Sequence, residues 1–292
     1  MAAIWAVLPG LSTSDTVSRP TAGSSCEHIR VLGMTDGLEF TRDGAVARLT
    51  FSRPEKMNAI TRGMWAAIPG AAAEVEADPG LKVLVLTGAG RHFSAGADIG
   101  EFRELRSTAE AAAKYDEAVD SAVAALTAMR KPTVAMVQGN CIGGGCQISV
   151  ACDFRFAADD ARFGITPAKL GIVYHFASTR QLVSLVGPAN AKYFLLSGEL
   201  VDATRAREIG LVNDVFPAAD LESATARFTE TLCGRSQASV RGMNRIIEKI
   251  VAGQEKTDDE VEEIRLAALH GEDYAEGVDA FLNRRAPKFT YR

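Results

Sequence analysis

The sequence has no long uninterrupted apolar run. Glycine, proline or a charged residue interrupts every hydrophobic stretch before it reaches the ~18 residues that a membrane-spanning helix needs. No lysine or arginine precedes the short apolar segment near the N-terminus, since the first basic residue is Arg19, and the basic start of a secretory signal is therefore missing. We expect a protein without a membrane span or a signal peptide.

The sequence also lacks a large net charge and cysteines at paired spacings. The net charge of the 292 residues is −5, so no basic surface for nucleic acid is expected. The five cysteines are odd in number and lack metal-ligand spacing, which predicts reduced thiols. The four histidines form no metal-ligand pattern with Asp or Glu either. These absences predict a cytoplasmic protein without a metal site, whose partners are small molecules and copies of itself.

Strand-like and helix-like segments alternate through the first half of the chain. Short β-rich or apolar runs at residues 45–51, 82–87 and 133–137 predict strands. Alanine-rich stretches between them, at about residues 58–77 and 109–129, have helical spacing. Alternation of this kind is typical of βαβ units in a mostly parallel sheet.

From about residue 167 onward the pattern is almost wholly helical. The first part of the chain is instead rich in Ser, Thr, Gly and Pro without a period, which predicts disorder. We therefore expect a disordered extension at residues 1–34, an α/β core at residues 35–225 and a helical C-terminal region at residues 226–292.

Three consecutive glycines, Gly143, Gly144 and Gly145, follow the third predicted strand. The apolar segment after them, at residues 146–152, resembles a buried helix. Glycines at such a point let a ligand approach backbone N–H groups, and a helix N-terminus adds partial positive charge. The loop suits a developing oxyanion, although a triple glycine alone is more often a tight turn without a ligand.

Other motifs accompany the glycine cluster in a fixed order. They are RPEKMNAI at 53–60, HFSAGADI at 92–99, KPTVAMVQGNCIGGG at 131–145, ACDFRFA at 151–157, ARFGITPAKLGI at 161–172 and GLVNDV at 210–215. Together they resemble the crotonase, or enoyl-CoA hydratase/isomerase, superfamily from about residue 38 to the C-terminus. The resemblance implies an α/β spiral of ββα units, assembled as a homo-trimer or homo-hexamer. It also implies an acyl-coenzyme A thioester as substrate and no permanently bound cofactor.

The resemblance implies which residues bind the thioester carbonyl. Ala97 and Gly144 match the two positions whose backbone N–H groups form an oxyanion hole. A thioester enolate accumulates charge on one oxygen, and preorganised donors stabilise it by about 3–4 kcal/mol each.

Coenzyme A contacts follow from the same resemblance. Positions that line its channel in relatives are matched by Lys56, Ala59, Ala95, Asp98 and Ile99. Asp98 is in addition a preferred residue for capping the helix that follows. Phe281 and Arg284 match positions that reach the nucleotide from a neighbouring region or subunit, and a solvated helix charge is the alternative for Arg284.

The two carboxylates used by hydratases of this superfamily are missing. Relatives carry one glutamate in the GGGxE segment and another shortly beyond the Phe-Gly that follows the next strand. One carboxylate can activate water while the other delivers a proton. The corresponding residues here are Gln147 and Pro167, and neither exchanges a proton near neutral pH. The departure argues against hydration by the two-glutamate mechanism.

Tyr174 and His175 are the candidates for replacing the carboxylates. The residues before them and the segment at 271–289 are similar to methylmalonyl-CoA decarboxylases, in which a tyrosine matching Tyr174 is functional. The match is partial, because those enzymes usually carry a glutamate at position 147 and a histidine at position 97. Histidine can change charge near neutral pH, although His175 packed at a helix start and Tyr174 hydrogen-bonded to its neighbours are the alternatives.

Three functions follow from these residues. The leading expectation is a lyase that decarboxylates a malonyl-type acyl-CoA, because loss of carbon dioxide generates the enolate without a base; Gln147 and Tyr174 would then contact the carboxylate. An alternative is an enoyl-CoA hydratase or isomerase that uses Tyr174, His175 or a water held by Gln147. A third is a non-catalytic acyl-CoA-binding protein that keeps the oxyanion hole.

Overall fold

The computed structural model describes residues 35–291 and the backbone of residues 27–28. The rest of the predicted N-terminal extension lies outside the described residues. The strands are β1 (Glu27–His28), β2 (Leu38–Asp43), β3 (Val46–Phe51), β4 (Val83–Gly88), β5 (Thr133–Val137), β6 (Asn140–Ile142), β7 (Phe154–Ala158), β8 (Arg162–Gly164), β9 (Val201–Asp202) and β10 (Asp214–Phe216). The α-helices are α1 (Arg62–Ala77), α2 (Phe102–Leu105), α3 (Ala109–Thr127), α4 (Gly144–Ala151), α5 (Phe176–Lys192), α6 (Ala203–Glu208), α7 (Leu221–Cys233), α8 (Gln237–Val251), α9 (Asp259–Leu269) and α10 (Glu272–Leu282).

Seven strands form one sheet in the order β1-β2-β3-β4-β5-β7-β10. The first three are antiparallel, and the pairs from β3 to β10 are parallel. Every residue of β4 and β5 is buried, as expected for parallel strands covered on both faces. In the register, Leu49 lies opposite Leu86, and Leu86 lies opposite Ala135. The predicted α/β core with a mostly parallel sheet is confirmed.

A second sheet of three short strands, in the order β6-β8-β9, lies beyond the carboxyl end of β5. Isolated bridges join the adjoining loops, one between Ile60 and Ala97 and one between Ser94 and Cys141. The loops that follow β3, β4 and β5 are therefore held against one another, at the edge of a parallel sheet where ligands commonly bind.

Helix α1 begins at Arg62, four residues later than its spacing predicts. Thr61 caps it, with its hydroxyl accepting the N–H of Met64 at 3.2 Å. Met57 and Asn58 have positive φ angles of 50° and 57°, which a helix cannot contain. The segment RPEKMNAI at 53–60 thus forms a turn before the helix.

Asn58 explains why this turn is fixed. Its side chain is fully buried, and its amide donates to the carbonyls of Ala89 at 2.9 Å and His92 at 2.6 Å. The Ser94 hydroxyl donates to the Asn58 carbonyl at 2.8 Å. The turn and the loop after β4 therefore form one hydrogen-bonded unit beside the site.

The C-terminal part is helical, as predicted. The expected boundary at residues 225 and 226 lies inside α7, which packs on the large sheet through Phe228, whose ring is 4.8 Å from that of Phe154 and 4.9 Å from that of Phe156. Helices α8, α9 and α10 complete the region. In residues 35–291, no helix has both the length and the apolar character needed to cross a membrane.

Candidate active site

A cavity of about 320 Å³ lies where α1, α3 and α4 meet the loops after β4 and β8. It is of the size that binds small ligands. Seven of the residues predicted from the sequence line it: Ala95, Ala97, Ile99, Gly144, Gln147, Tyr174 and His175. The structure therefore brings all five predicted catalytic positions to one place.

The two loops that carry the predicted oxyanion-hole residues Ala97 and Gly144 come into contact at Gly96. Gly96 has a φ of +99°, and a methyl group on its Cα would lie 3.1 Å from the Gly144 nitrogen and 2.8 Å from the Ile142 carbonyl oxygen. Only a glycine permits this approach of one loop to the other. Among the described residues, the N–H groups of Ala97 and Gly144 have no hydrogen-bond acceptor. Two unpaired backbone donors thus adjoin the cavity.

Helix α4 is held at both ends. At its N-terminus, a Cβ on Gly144 would lie 2.7 Å from Cζ2 of Trp65, so the indole packs directly on this glycine. At its C-terminus, the buried Arg155 donates to the carbonyls of Ser149 at 3.2 Å and Leu211 at 2.7 Å. Burial lowers the pKa of Arg155, although the guanidinium remains charged. The unpaired N–H groups of the α4 N-terminus are therefore fixed in position.

Gln147 and Tyr174 also line the cavity. The side-chain amide of Gln147 donates to the Ser178 hydroxyl at 2.7 Å, which joins α4 to α5. Among the described residues, this donated bond is the one side-chain hydrogen bond found for Gln147. Burial raises the pKa of the half-buried Tyr174 well above the ordinary value; Cys146 adds to the rise, and Ser178 opposes part of it. Tyr174 is therefore a neutral hydrogen-bonding group rather than a base.

His175 is bound by carboxylates of α3. Its Nδ1 lies 2.8 Å from Oδ1 of Asp120, and its Nε2 lies 3.7 Å from Oδ1 of Asp116. Asp116 also accepts from Nη2 of Arg106 at 2.7 Å. This arrangement fixes the imidazole at the edge of the cavity, and it goes beyond simple packing at the start of α5.

Lys56, Ala59 and Asp98, which the sequence places in the coenzyme A channel, do not line the cavity. Arg53 links two of them, because its Nη1 donates to the Ala59 carbonyl at 2.7 Å and to Oδ2 of Asp98 at 3.0 Å. The other Asp98 oxygen accepts the N–H of Gly100 at 3.0 Å, as expected for a cap. The Asp98 side chain is thus used within the protein.

Phe281 and Arg284 are remote from the cavity within one chain. Phe281 is 81% exposed near the end of α10, and it borders an apolar groove between the C-terminal helices. Arg284 follows that helix with a φ of 52°. A role for them at the nucleotide remains a prediction that requires a neighbouring subunit.

Several lining residues were not predicted from the sequence, among them Trp65, Phe102, Arg106 and Tyr115. Trp65 and Tyr115 lie on the apolar faces of α1 and α3, so their spacing is that of ordinary core residues. The feature that could have identified them is the polar atom that each ring carries, since buried Trp and Tyr usually need a hydrogen-bond partner.

Comparison with known proteins agrees with this site. Residues 41–292 match the family model of enoyl-CoA hydratase/isomerase. A Mycobacterium tuberculosis protein named "Probable enoyl-CoA hydratase echA8" is 35% identical over 86% of this chain and 96% of its own length. The peroxisomal Delta(3,5)-Delta(2,4)-dienoyl-CoA isomerase of Arabidopsis thaliana is 29% identical over 85% of this chain and 94% of its own.

A solved structure gives the same result for the fold. The enoyl-CoA hydratase/carnithine racemase from Magnetospirillum magneticum superimposes with a TM-score of 0.85 at 32% identity, over 89% of this chain and 97% of that one. This likeness confirms the expected crotonase-like fold. The chain belongs to the enoyl-CoA hydratase/isomerase family.

Proposed function

We propose that the protein catalyses proton transfer on enoyl-CoA thioesters, through an enolate held by the N–H groups of Ala97 and Gly144. The observation that carries the proposal is that both amides adjoin one cavity and lack an acceptor among the described residues. Preorganised donors in such a site stabilise a developing oxyanion by about 3–4 kcal/mol each.

His175 is proposed as the group that moves the proton. Asp120, 2.8 Å from Nδ1, orients the ring and favours the tautomer in which Nδ1 carries the proton. Nε2 is then the atom that accepts a proton from the substrate. Arg106 offsets the charge of Asp116, the second carboxylate near the ring.

Migration of a double bond fits a site with one base. In a 3-enoyl-CoA the C2–H bond breaks, the proton passes to His175, and the electron pair passes to the thioester oxygen. The imidazolium returns a proton at C4, the enolate collapses, and the double bond becomes conjugated with the thioester. Neither Gln147 nor Pro167 is needed as an acid. The isomerase named among the relatives supports this reaction.

Hydration is the second candidate, and a specific observation favours it. Gln147 lines the cavity, and its amide N–H is donated to Ser178, so its carbonyl oxygen is available to accept a hydrogen bond from a water molecule. A hydratase name among the relatives gives further support.

Decarboxylation, the leading expectation from the sequence, has less support. The two permanent cations that line the cavity already face carboxylates: Arg106 is 2.7 Å from Asp116, and Lys169 is 4.0 Å from Glu199. A malonyl-type carboxylate would enter without a free cation to balance it. The relatives reported above carry the names of hydratases and isomerases.

A panel of thioesters tests the proposal. The protein, His175→Gln and a control, His270→Gln, are each given a 3-enoyl-CoA, a 2-enoyl-CoA and methylmalonyl-CoA. His270 is exposed at the end of α9. Ultraviolet absorbance follows conjugation, and mass spectrometry follows gain of water or loss of carbon dioxide.

We expect conjugation of the 3-enoyl-CoA by the wild type and by His270→Gln, with about 10²–10⁴-fold less in His175→Gln. Release of carbon dioxide from methylmalonyl-CoA without any conversion of the enoyl thioesters would instead support the decarboxylating lyase expected from the sequence. Tight binding without turnover of all three would indicate a non-catalytic acyl-CoA-binding protein.

A further inference from the structure

We propose that the acyl end of the cavity is a polar subsite for an uncharged acyl group that carries an oxygen atom, bound by the Tyr115 hydroxyl, which the neighbouring Trp65 indole N–H orients. The inference rests on the proposed function, because it concerns the acyl group of the thioester whose carbonyl lies at Ala97 and Gly144. It adds the chemical class of the substrate, which the oxyanion hole does not specify.

Three buried polar atoms around this one cavity have no hydrogen bond of ordinary length among residues 35–291. They are Nε1 of Trp65, Oη of Tyr115 and Nε of Arg106. The Trp65 and Tyr115 side chains do interact with each other, in a contact that lowers the pKa of Tyr115, and the Tyr115 hydroxyl proton is left to donate elsewhere. Trp65 is 1% exposed and Tyr115 is 2% exposed. Buried polar atoms are nearly always paired, and each unpaired one costs about 1–3 kcal/mol. Their concentration at a single cavity points to a ligand as the partner.

Packing fixes the three groups in place. The Trp65 indole lies against Gly144, one of the two oxyanion-hole residues. The Tyr115 ring packs edge to face on Phe102, with centroids 5.5 Å apart. The Arg106 guanidinium lies 4.7 Å from the Phe102 centroid and 5.0 Å from that of Tyr115. A ligand therefore meets donors whose side-chain entropy has already been lost.

The chemistry of the three atoms selects an acceptor. Indole and guanidinium nitrogens can only donate a hydrogen bond. Burial raises the pKa of Tyr115 to about 12, with the Trp65 side chain opposing part of the rise, so its hydroxyl stays protonated and can donate as well. A keto or hydroxyl oxygen in the acyl chain satisfies such donors. A plain hydrocarbon chain leaves them unpaired.

The surrounding charge favours a neutral oxygen over a carboxylate. Glu101 and Asp116 each disfavour negative charge at Tyr115, and Arg106 favours it. Asp120 is bound to His175, which lines the cavity. The positive charge of Arg106 is offset by Asp116 at 2.7 Å. A second negative group would find Arg106 already paired with Asp116, whereas a neutral oxygen needs no counter-charge.

Saturated thioesters measure this preference without turnover. Hexanoyl-CoA is compared with 4-oxohexanoyl-CoA, 5-oxohexanoyl-CoA and the carboxylate analogue adipyl-CoA by isothermal titration calorimetry. The proteins are the wild type, Tyr115→Phe, Trp65→Phe and the control Tyr193→Phe. Tyr193 is 50% exposed and lies outside the cavity. Thermal unfolding of each variant checks that the fold is kept.

We expect at least one oxo analogue to bind the wild type about tenfold more tightly than hexanoyl-CoA, which corresponds to about 1.4 kcal/mol. Tyr115→Phe should remove that difference while leaving hexanoyl-CoA binding nearly unchanged, and Tyr193→Phe should preserve it. Equal affinity for all uncharged analogues in the wild type would overturn the inference. The inference would also be overturned if adipyl-CoA were the tightest ligand. The same holds if Tyr115→Phe lost equal affinity for the oxo analogues and for hexanoyl-CoA.

The proposed function and this inference fail differently. Equal affinities together with turnover of a plain 3-enoyl-CoA would remove the polar subsite and leave the proposed function intact. A preference for the oxo analogue without turnover of any enoyl-CoA would support the polar subsite and contradict the proposed function. Absence of binding by every thioester would overturn both.

Discussion

Gly144 and Trp65 are in direct contact, and a single methyl group on the glycine would lie 2.7 Å from Cζ2 of the indole. The Gly144 N–H, one of the two proposed oxyanion donors, is therefore positioned next to the Trp65 indole that lines the cavity. A side chain at position 144 must displace either the indole or the N-terminus of α4, because such a distance is far inside van der Waals contact.

Gly144→Ala is therefore expected to lower kcat by about 10²–10³-fold, the loss that follows removal of one oxyanion-hole donor. Adding Trp65→Phe removes the atom that clashes, so the double variant should recover part of the loss. Steady-state kinetics with an enoyl-CoA measures both. Gly234→Ala is the control, because a methyl group there would meet only ordinary contacts at 3.5 Å and 3.6 Å. Full activity in Gly144→Ala would contradict the assignment.

Asp120→Asn tests how His175 is oriented. The amide keeps the size of the side chain but no longer favours an imidazole with its proton on Nδ1, so we expect kcat to fall at least about tenfold with little change in KM. Asp220→Asn, an exposed residue before α7 without a side-chain capping bond, should have no effect. An unchanged kcat in Asp120→Asn would show that the contact with His175 is only structural.

Alkaline pH tests the burial of Tyr115. Its pKa is about 12 in the folded protein and near 10 when unfolded. The unfolded chain loses the proton first, so the stability due to neutral Tyr115 is complete below about pH 10 and declines by up to about 3 kcal/mol as the pH rises towards 12.

Chemical denaturation between pH 9 and about 11.5 measures this decline. In Tyr115→Phe the free energy of unfolding should fall less steeply over the same range. Identical pH profiles for the two proteins would show that Tyr115 ionises as an exposed tyrosine does. The result concerns stability alone, and it does not depend on the identity of the substrate.

Arg155→Leu tests the support at the far end of α4. The substitution leaves the carbonyls of Ser149 and Leu211 without their buried donor, so we expect the free energy of unfolding to fall by about 3–5 kcal/mol. Arg162→Leu is the matched control, because Arg162 is exposed and its side chain bonds only the Ala161 carbonyl. A loss below about 1 kcal/mol for Arg155→Leu would contradict its role in fixing α4.

Local pattern predicted the elements that carry the large sheet. The runs that became β3, β4 and β5 are apolar and bounded by glycine or proline, and they lie within a residue or so of their predicted positions. The strands β6, β8 and β9 have only two or three residues each, too few for a period. The start of α1 was missed for a different reason, because Asn58 forms its bonds with residues more than thirty positions away.

Some residues of the candidate site could likewise be predicted from the sequence, and others could not. Ala97 and Gly144 were found through motifs that resemble a family, and the structure places both at the cavity. Trp65 and Tyr115 lie on two helices that meet only in the folded chain, and their spacing matched that of core residues. The partners of His175 were also unpredictable, since Asp116 and Asp120 lie on α3, more than fifty residues earlier.

The most direct test of the account is the fate of hydrogen when a 3-enoyl-CoA reacts in D₂O. We expect a conjugated 2-enoyl-CoA whose new C4 hydrogen comes from C2 of the substrate or, after exchange on the imidazolium, from D₂O, detected by mass spectrometry and NMR. His175→Gln and Gly144→Ala should form this product at least about 10²-fold more slowly than the wild type. Formation of that product at an undiminished rate by both variants would contradict an enolate held at Gly144 and protonated by His175.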